Sequence, residues 1–126
     1  MKVVEFAEGF ENENIPVSVR IGMTLRDATI FEGTAGEFVK FARENLQTFV
    51  VDSGRVEGGV SVIYVKDKSV YALRNLFGEV ELRIIDEDDE ELFFGQPCDV
   101  PEELLDRFVT YHCLYNGELF ELTVER

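Results

Sequence analysis

The sequence has few of the residue types that carry catalytic or metal chemistry. Its 126 residues include one histidine, two cysteines and no tryptophan. Structural zinc sites use sets of Cys and His ligands at close spacings, so one histidine and two cysteines argue against a zinc site. The Walker loop and the G-x-S-x-G and G-x-G-x-x-G motifs are absent too. We therefore expect a protein that is not an enzyme and that binds no cofactor.

The single histidine and the two cysteines are interpreted as structural residues. His112 stands beside Cys113 in an apolar segment that reads as a strand. Neighbouring strand residues point to opposite faces, so this pair cannot form a Cys–His nucleophile. We expect a packed His112 and reduced, packed thiols at Cys98 and Cys113, with a single disulfide as the alternative.

Long apolar runs, proline and glycine are scarce as well. No run approaches the ~20 apolar residues that a membrane-spanning helix needs. The chain has 3 Pro and 10 Gly but 11 Phe, and 45% of it is hydrophobic, which excludes a disordered chain and allows a buried core. An acid as early as Glu5 argues against a signal peptide. The expected location is the cytoplasm of the host cell.

Basic residues are outnumbered, and the imbalance is uneven. The chain carries 26 acids against 12 bases, a net charge of -14. Residues 1–66 hold 10 acids and 7 bases (net -3), whereas residues 67–126 hold 16 acids and 5 bases (net -11). Such a surface repels nucleic acid and anionic membranes and attracts basic proteins. Solubility alone is the competing interpretation of this charge.

The second half of the chain resembles the first half in residue pattern. Three pairs of segments match at spacings of 63, 62 and 62 residues: Val17–Ile21 with Val80–Ile84, Ile30–Gly33 with Leu92–Gly95, and Thr48–Val51 with Thr110–Cys113. We interpret this as a tandem duplication, with residues 1–66 and 67–126 as two copies of one small unit that share one compact body.

Each copy is predicted to consist of a short leading segment, a hairpin, a helix and a second hairpin. Alternation of apolar residues from Val17 to Ile21 predicts a strand. Thr34 and Glu37 have the spacing of a capping box, which predicts a helix over about 35–46. The leading segment near Val3 fits a short helix or a strand. The fold class is therefore α+β, with two tandem ββαββ-like repeats, mostly antiparallel sheet and one helix per repeat, in one continuous sheet or two.

The helix of the second copy is predicted from a different set of signals. Asp99 is expected to cap it, with Pro101 in its first turn and Glu102 and Glu103 near its positive end. Its apolar face is expected to consist of Leu104, Leu105, Phe108 and Val109. Gly33 and Gly95 precede the two helices at equivalent places, where glycine permits a positive φ or a close backbone approach.

The acidic run from Asp86 to Glu91 lies in the predicted first hairpin turn of the second copy. It lacks the glycine and the alternating ligands of a calcium-binding loop, which leaves at most weak Ca²⁺ binding. A solvated, self-repelling turn is the plain interpretation, and imitation of nucleic-acid phosphates is the functional one. The residues predicted to bind a partner are Asp86, Glu87, Asp88, Asp89, Glu90, Glu91, Asp99, Glu102 and Glu103.

Tyrosines are a further candidate for an interface, since tyrosine buries much area at modest entropy cost. Ordinary strand packing is the preferred interpretation for all four, namely Tyr64, Tyr71, Tyr111 and Tyr115.

The V-x-[VL]-R-I strand, the return strand ending F-x-G, the short capped helix and the final hairpin resemble small acidic accessory proteins of phages and prophages, of the anti-CRISPR and antirestriction type. The resemblance implies a small cytoplasmic inhibitor that blocks a host defence protein. Combined with the charge, it predicts a host partner with a basic surface and no direct contact with nucleic acid or membrane.

Two other functions remain open at this stage. One is a sponge protein that sequesters a small nucleotide signal, which requires arginines to converge among Arg20, Arg26, Arg43, Arg55 and Arg83. The other is a self-assembling structural or accessory phage protein, because free sheet edges can pair into a homo-oligomer.

Overall fold

The computed structural model of the protein describes residues 1–22, 27–78 and 80–125. These residues form two compact units, the first made of residues 1–22 and 27–67 and the second beginning at residue 68. Across the described residues there are four α-helices and eight strands, in two four-stranded sheets. The predicted α+β class and the repetition of a sheet unit are confirmed. No helix within the described ranges combines the length and the apolar character needed to cross a membrane.

The first unit has the order helix, hairpin, helix, hairpin. The leading segment is helical, so the helix alternative for it is correct. Its elements are α1 (Val3–Glu8), β1 (Pro16–Ile21), β2 (Ala28–Thr34), α2 (Ala35–Asn45), β3 (Val50–Glu57) and β4 (Val60–Lys66).

The second unit repeats this order with shorter helices. A 3₁₀ helix over Pro97–Asp99 precedes its second α-helix. The other elements are α3 (Val70–Leu73), β5 (Glu81–Ile85), β6 (Glu91–Gly95), α4 (Glu102–Leu105), β7 (Val109–Tyr115) and β8 (Leu119–Val124).

Each sheet joins two antiparallel hairpins through a parallel pair at its centre. The strand orders are β2-β1-β4-β3 and β6-β5-β8-β7. The parallel pairs are β1 with β4 and β5 with β8. Parallel neighbours need a crossover connection, and the chain between the hairpins, including α2 or α4, supplies it. The sheets are therefore mixed, and the antiparallel character resides in the hairpins.

The similarity of the two units extends to individual backbone hydrogen bonds. In the first unit the N–H of Val3 donates to Phe49 O at 3.0 Å and the N–H of Val51 donates to Met1 O at 2.9 Å. In the second unit the N–H of Val70 donates to Arg107 O at 3.3 Å and the N–H of Val109 donates to Lys68 O at 2.7 Å. Val109 is thus the structural counterpart of Val51, whereas the sequence comparison paired Val51 with Cys113.

Strand pairing also corrects the spacing of the first repeated segment. Val17 lies opposite Gly33, and Leu82 lies opposite Gly95. Since Gly33 and Gly95 are counterparts, Leu82 is the counterpart of Val17, two residues beyond the Val80 that the sequence comparison selected. A slip of two residues leaves every side chain on its original face, so the apolar pattern alone does not detect it.

Helix α2 packs one apolar stripe against the first sheet. Phe38, Ala42 and Leu46 follow at i, i+4 and i+8, as predicted, and all three are completely buried. Phe31 of β2 stacks on Phe41 with ring centroids 4.9 Å apart. Each fully buried Phe or Leu contributes roughly 1.5–3 kcal/mol, so this stripe is a main source of the unit's stability.

The predicted capping box opens α2. The N–H of Glu37 donates to Thr34 Oγ1 at 3.3 Å, and the N–H of Thr34 donates to Glu37 Oε1 at 3.0 Å. Two N–H groups that no helical carbonyl reaches are thereby satisfied. The helix ends at Asn45, within one residue of the predicted end.

The prediction for the helix of the second copy was wrong in its details. Asp99 ends the 3₁₀ helix and caps nothing, and Pro101 is the N-cap of a four-residue α4. The reason is local: Val100 precedes a proline, which disfavours helical backbone, and it adopts ψ 127°. The apolar face is shorter than predicted too, because Phe108 is exposed and Val109 begins β7.

Gly33 and Gly95 allow the close approach that their equivalent positions predicted. A Cβ on Gly33 would lie 2.8 Å from Cζ of Phe31, and a Cβ on Gly95 would lie 3.2 Å from Cζ of Phe93. In both units a phenylalanine ring therefore lies against a glycine two residues further along the same strand. Gly95 also has φ 156°.

Replacing Thr34 with alanine tests the contribution of the capping box. We expect the Thr34→Ala variant to lose about 1 kcal/mol of unfolding free energy, because Glu37 N–H loses its acceptor. Urea unfolding followed by circular dichroism measures the loss. Thr48→Ala, in an exposed turn, is the matched control. Equal unfolding midpoints for the two variants would contradict the assignment.

Candidate partner-binding face of the second sheet

The acidic run forms a tight turn that Asp86 organises. The N–H groups of Asp88 and Glu90 donate to Oδ1 of Asp86 at 2.8 and 3.0 Å. The Asp86 N–H donates to Glu90 O at 3.0 Å, and Asp89 N–H donates to Asp86 O at 3.1 Å. Asp89 has φ 64°, a left-handed conformation that aspartate tolerates better than most residues. The sequence folds this way because an aspartate before a turn can accept from its backbone.

The six acids of the run are therefore not equivalent. One Asp86 oxygen is used by the backbone, and Oε1 of Glu91 lies 3.3 Å from Nε of Arg83. The four residues from Glu87 to Glu90 are all exposed. We call these four residues the acidic turn. Its carboxylates project from a backbone that Asp86 holds in place.

The other predicted partner-binding acids lie elsewhere in the unit. Strand β6 leads away from the acidic turn for five residues, which is about 13 Å. Asp99 follows the far end of that strand. Glu102 and Glu103 then begin α4, and all three are exposed. The fold thus does not place Asp99 next to the acidic turn, although both belong to the same acidic unit.

One face of the second sheet adjoins the acidic turn, and we call the face that carries Arg83 the open face. Directly paired residues of neighbouring strands point to the same side of a sheet. The rows of this face, taken in strand order, are Phe94–Arg83–Glu121–Cys113, then Glu91–Ile85–Thr123–Tyr111, and then Glu81–Leu119–Tyr115.

Arg83 is the cation at the centre of the open face, and two carboxylates neutralise it. Its Nε lies 3.3 Å from Oε1 of Glu91, and its Nη1 lies 3.8 Å from Oε2 of Glu121. The Nε atom is buried, and its contact with Glu91 is an ion pair without hydrogen-bond geometry. The remaining carboxylate of the rows, Glu81, adds net negative charge.

Three aromatic side chains are exposed on the open face. Phe94 is 51% exposed, Tyr111 66% and Tyr115 40%. They are three of the seven large hydrophobic residues that are exposed among those the structure describes. The hydroxyl of Tyr115 lies 3.5 Å from Oε1 of Glu121, and the charge of that carboxylate raises the pKa of Tyr115.

Phe94 was missed by the sequence reasoning, although a signal for it exists. Phe93 and Phe94 are adjacent in a strand, so one of them must point away from the core. Phe93 lies on the covered face opposite Ile84, and Phe94 is the outward one. The exposure of Tyr111 and Tyr115 also favours the interface interpretation that the sequence had ranked second.

The equivalent face of the first unit has a different surface on the same backbone. By strand pairing, Glu32, Ser53 and Glu57 occupy the places of Phe94, Tyr111 and Tyr115. In the first unit, then, two carboxylates and a serine stand where the second unit has aromatic rings.

An arginine covers the main aromatic residue on that face of the first unit. The guanidinium carbon of Arg55 lies 5.4 Å from the ring centre of Tyr64, and its Nε donates to Glu57 Oε2 at 3.0 Å. The Tyr64 hydroxyl donates to Asp27 Oδ2 at 2.8 Å. The charges of Arg55 and Glu57 are therefore paired with each other within the unit.

The remaining arginines of the nucleotide-sponge hypothesis are dispersed or paired. Arg43 lies 3.6 Å from Glu8 between α2 and α1, and Arg20 lies on β1, where its Nε donates to Ser18 Oγ. Arg26 lies outside the described residues. No group of three or more His, Cys, Asp or Glu side chains that could hold a metal ion occurs in the described part of the chain.

His112 and Cys113 point to opposite faces, as predicted for neighbours in a strand. His112 pairs with Leu122 of the core face, and Cys113 pairs with Glu121 of the open face. Burial lowers the pKa of His112 below its ordinary value of about 6.5. Both thiols are free; Cys113 is buried as predicted, whereas Cys98 is exposed, so the packed-thiol expectation was wrong for it.

Comparison of the chain with protein-family models, with curated proteins and with solved structures finds no match.

Asp86 should stabilise the turn through the hydrogen bonds that it accepts more than through its negative charge. We expect Asp86→Ala to lower the unfolding free energy by about 1–2 kcal/mol, since two N–H groups lose their acceptor. Asp86→Asn keeps an acceptor oxygen and should cost less than half as much. Glu87→Gln, in the same turn, is the control with an unchanged midpoint. If Asp86→Asn destabilised the protein as much as Asp86→Ala, the hydrogen-bonding role of the Asp86 oxygen would be refuted.

His112 should make stability depend on pH in one direction. Its depressed pKa means that the unfolded chain binds the proton first, so stability is full above about pH 6.5 and falls as the pH drops below it. The loss is at most about 1.4 kcal/mol per pH unit. Urea midpoints between pH 7.5 and 5.5 should decline more steeply for the parent chain than for His112→Gln. Parallel pH profiles would refute this.

Proposed function

We propose that this chain is a non-catalytic acidic binding protein of phage type, which occupies a basic, nucleic-acid-binding surface of a host defence protein in the host cytoplasm. The observation that supports it is the acidic turn: four exposed carboxylates on a backbone held by Asp86, next to an exposed aromatic face. Both features belong to the half of the chain that carries a net charge of -11.

The charge density of the acidic turn is comparable with that of a nucleic-acid strand. Successive Cα atoms are about 3.8 Å apart, so Glu87–Glu90 presents one carboxylate per roughly 3.8 Å of backbone. A DNA strand presents one phosphate per ~3.4 Å of helix axis. Arginines and lysines that bind a phosphate backbone therefore meet a similarly dense set of negative charges at the turn.

Exposed carboxylates of this kind act mainly on the rate of association. Each exposed ion pair is worth roughly 0.2–1 kcal/mol, so four together contribute about 1–4 kcal/mol. Attraction between the opposite charges of two proteins accelerates their encounter, and at 0.1 M salt this attraction is screened over ~10 Å. Binding should for that reason be salt-dependent, and competition with nucleic acid should be direct.

A sponge for an anionic nucleotide has less support from the described residues. Arg43, Arg55 and Arg83 each lie within 3.8 Å of a carboxylate of their own unit. An anionic ligand would have to displace those carboxylates before it reached the guanidinium groups.

Neutralising the acidic turn tests the proposal. The variant Glu87→Gln, Asp88→Asn, Asp89→Asn, Glu90→Gln leaves Asp86 and Glu91 in place and should keep the fold, because asparagine also tolerates the conformation of Asp89. We expect its affinity for purified Cas9-type and restriction-type effectors to fall about tenfold at 50 mM salt. Biolayer interferometry measures the affinity, and a labelled target duplex measures displacement of nucleic acid.

The matched control removes four charges from the first unit. Glu5, Glu11, Glu13 and Glu44 are all exposed there, and their replacement with glutamine changes the net charge by the same amount. Affinity should then fall less than threefold. Equal losses for the two variants would show a general charge effect, and binding that does not change between 50 and 300 mM salt would sink the proposal.

A further inference from the structure

We infer that the open face of the second sheet recognises arginine side chains of the basic partner, with Phe94, Tyr111 and Tyr115 as the surfaces on which guanidinium groups stack. The inference rests on the proposed function, because it names the partner chemistry at the surface that adjoins the acidic turn. Imitation of nucleic-acid phosphates by the acidic turn makes no use of these aromatic residues, and the inference gives them a role.

Other exposed aromatic rings of the chain already carry a cation from their own unit. The guanidinium carbon of Arg74 lies 4.9 Å from the ring centre of Tyr71, and Nζ of Lys68 lies 5.2 Å from that of Phe108. Among the residues that the structure describes, no lysine or arginine lies over the three rings of the open face. These three rings remain accessible to a cation supplied by a partner.

The carboxylates of the open face outnumber its one arginine. Arg83 contacts Glu91 and Glu121, and Glu81, in the row of Tyr115, is a third carboxylate, so the face keeps a net negative charge beside its rings. Glu121 lies beside Tyr115, at 3.5 Å from its hydroxyl, and Glu91 shares a strand with Phe94 and a row with Tyr111. A guanidinium group can stack on an aromatic ring and donate in its own plane to a carboxylate at the same time. An ammonium group has no plane to stack and is more strongly hydrated. The face should therefore prefer arginine to lysine.

The first unit shows the same arrangement within the chain. Arg55 stacks over Tyr64 at 5.4 Å while its Nε donates to Glu57 at 3.0 Å. There the arginine, the ring and the carboxylate all come from one sheet. In the second unit Arg83 contacts the carboxylates but lies over none of the three rings, so an arginine of the partner would supply the stacked cation.

The positions of the rings limit the form of the partner segment. Phe94 and Tyr111 lie on opposite edge strands, which are three strand spacings or about 14 Å apart, and they stand in neighbouring rows. Tyr111 and Tyr115 are four residues apart on β7, which is about 13 Å. An extended segment with arginines four residues apart matches this distance, so a short extended arginine-rich segment is the occupant that the face fits.

Labelled peptides of ten arginines and of ten lysines test the inference with the full chain. Their formal charges are equal, so pure electrostatics predicts similar affinities. By fluorescence anisotropy at 50 mM salt, we expect the arginine peptide to bind at least about tenfold more tightly. The triple variant Phe94→Leu, Tyr111→Leu, Tyr115→Leu keeps apolar side chains but removes the rings. Its preference for arginine should fall to about twofold or less.

A control variant removes rings that already carry a cation, through Tyr64→Leu, Tyr71→Leu and Phe108→Leu, and should keep the tenfold preference. Circular dichroism checks both folds. Should the triple variant not fold, Tyr111→Leu alone, at the most exposed ring, should lower the preference at least twofold. The acidic-turn variant should weaken both peptides by the same factor.

Three outcomes distinguish a failure of this inference from a failure of the proposed function. Equal, salt-sensitive binding of both peptides by the parent chain overturns the arginine inference and leaves the proposed function standing. An arginine preference that survives in the folded triple variant overturns the assignment to the open face. Effector binding that does not respond to the acidic turn, together with an intact arginine preference, overturns the proposed function instead.

Discussion

The parallel pairing at the centre of each sheet is the constraint on which the rest of the structure depends. A two-stranded hairpin in isolation is marginally stable in water, and each unit contains two of them. Pairing of β1 with β4, and of β5 with β8, turns two hairpins into a four-stranded sheet with one continuous apolar face. In the first unit this places Val19 beside Ile63, where the stripe of α2 can contribute to the same core. The chain between the hairpins must cross over the sheet to permit that pairing, so the position of the second helix follows from it.

The same pairing explains how two copies of one fold can carry different surfaces. The covered face of each sheet is held by packing, where a change of one methylene is felt. The exposed positions of the open face have no such restriction, so their side chains can change while the backbone register stays. Glu32 and Glu57 in the first unit correspond to Phe94 and Tyr115 in the second. As a result, the exposed aromatic rings of this face lie in the second unit, which also holds most of the net negative charge.

Local signals predicted the elements well, and their arrangement much less well. Alternation and the Thr34–Glu37 pair act between residues a few positions apart, and both were sufficient for β1 and α2. The parallel pairing joins residues more than 40 positions apart in the first unit, and no local pattern encodes it. Asp99 was assigned as a cap because its type fits, yet Val100 before Pro101 forces extended backbone. Asp86 has the same type as its neighbours, so only the folded turn shows that its oxygen serves the backbone.

Aromatic residues on an open sheet face could also stack on nucleobases, but the charge around them disfavours that partner. Single-stranded nucleic acid brings a phosphate with every base, so a sheet that binds it needs cations beside its rings. The one arginine of the rows, Arg83, already contacts Glu91 and Glu121. The acidic turn at the end of the sheet adds four carboxylates that repel phosphate. A planar cation can stack on the rings and is attracted by the net negative charge of the unit, whereas a nucleotide can stack on the rings but is repelled by that charge. On the proposed function, the long-range field of the turn and the short-range stacking on the open face favour the same partner, a basic protein segment that presents arginine.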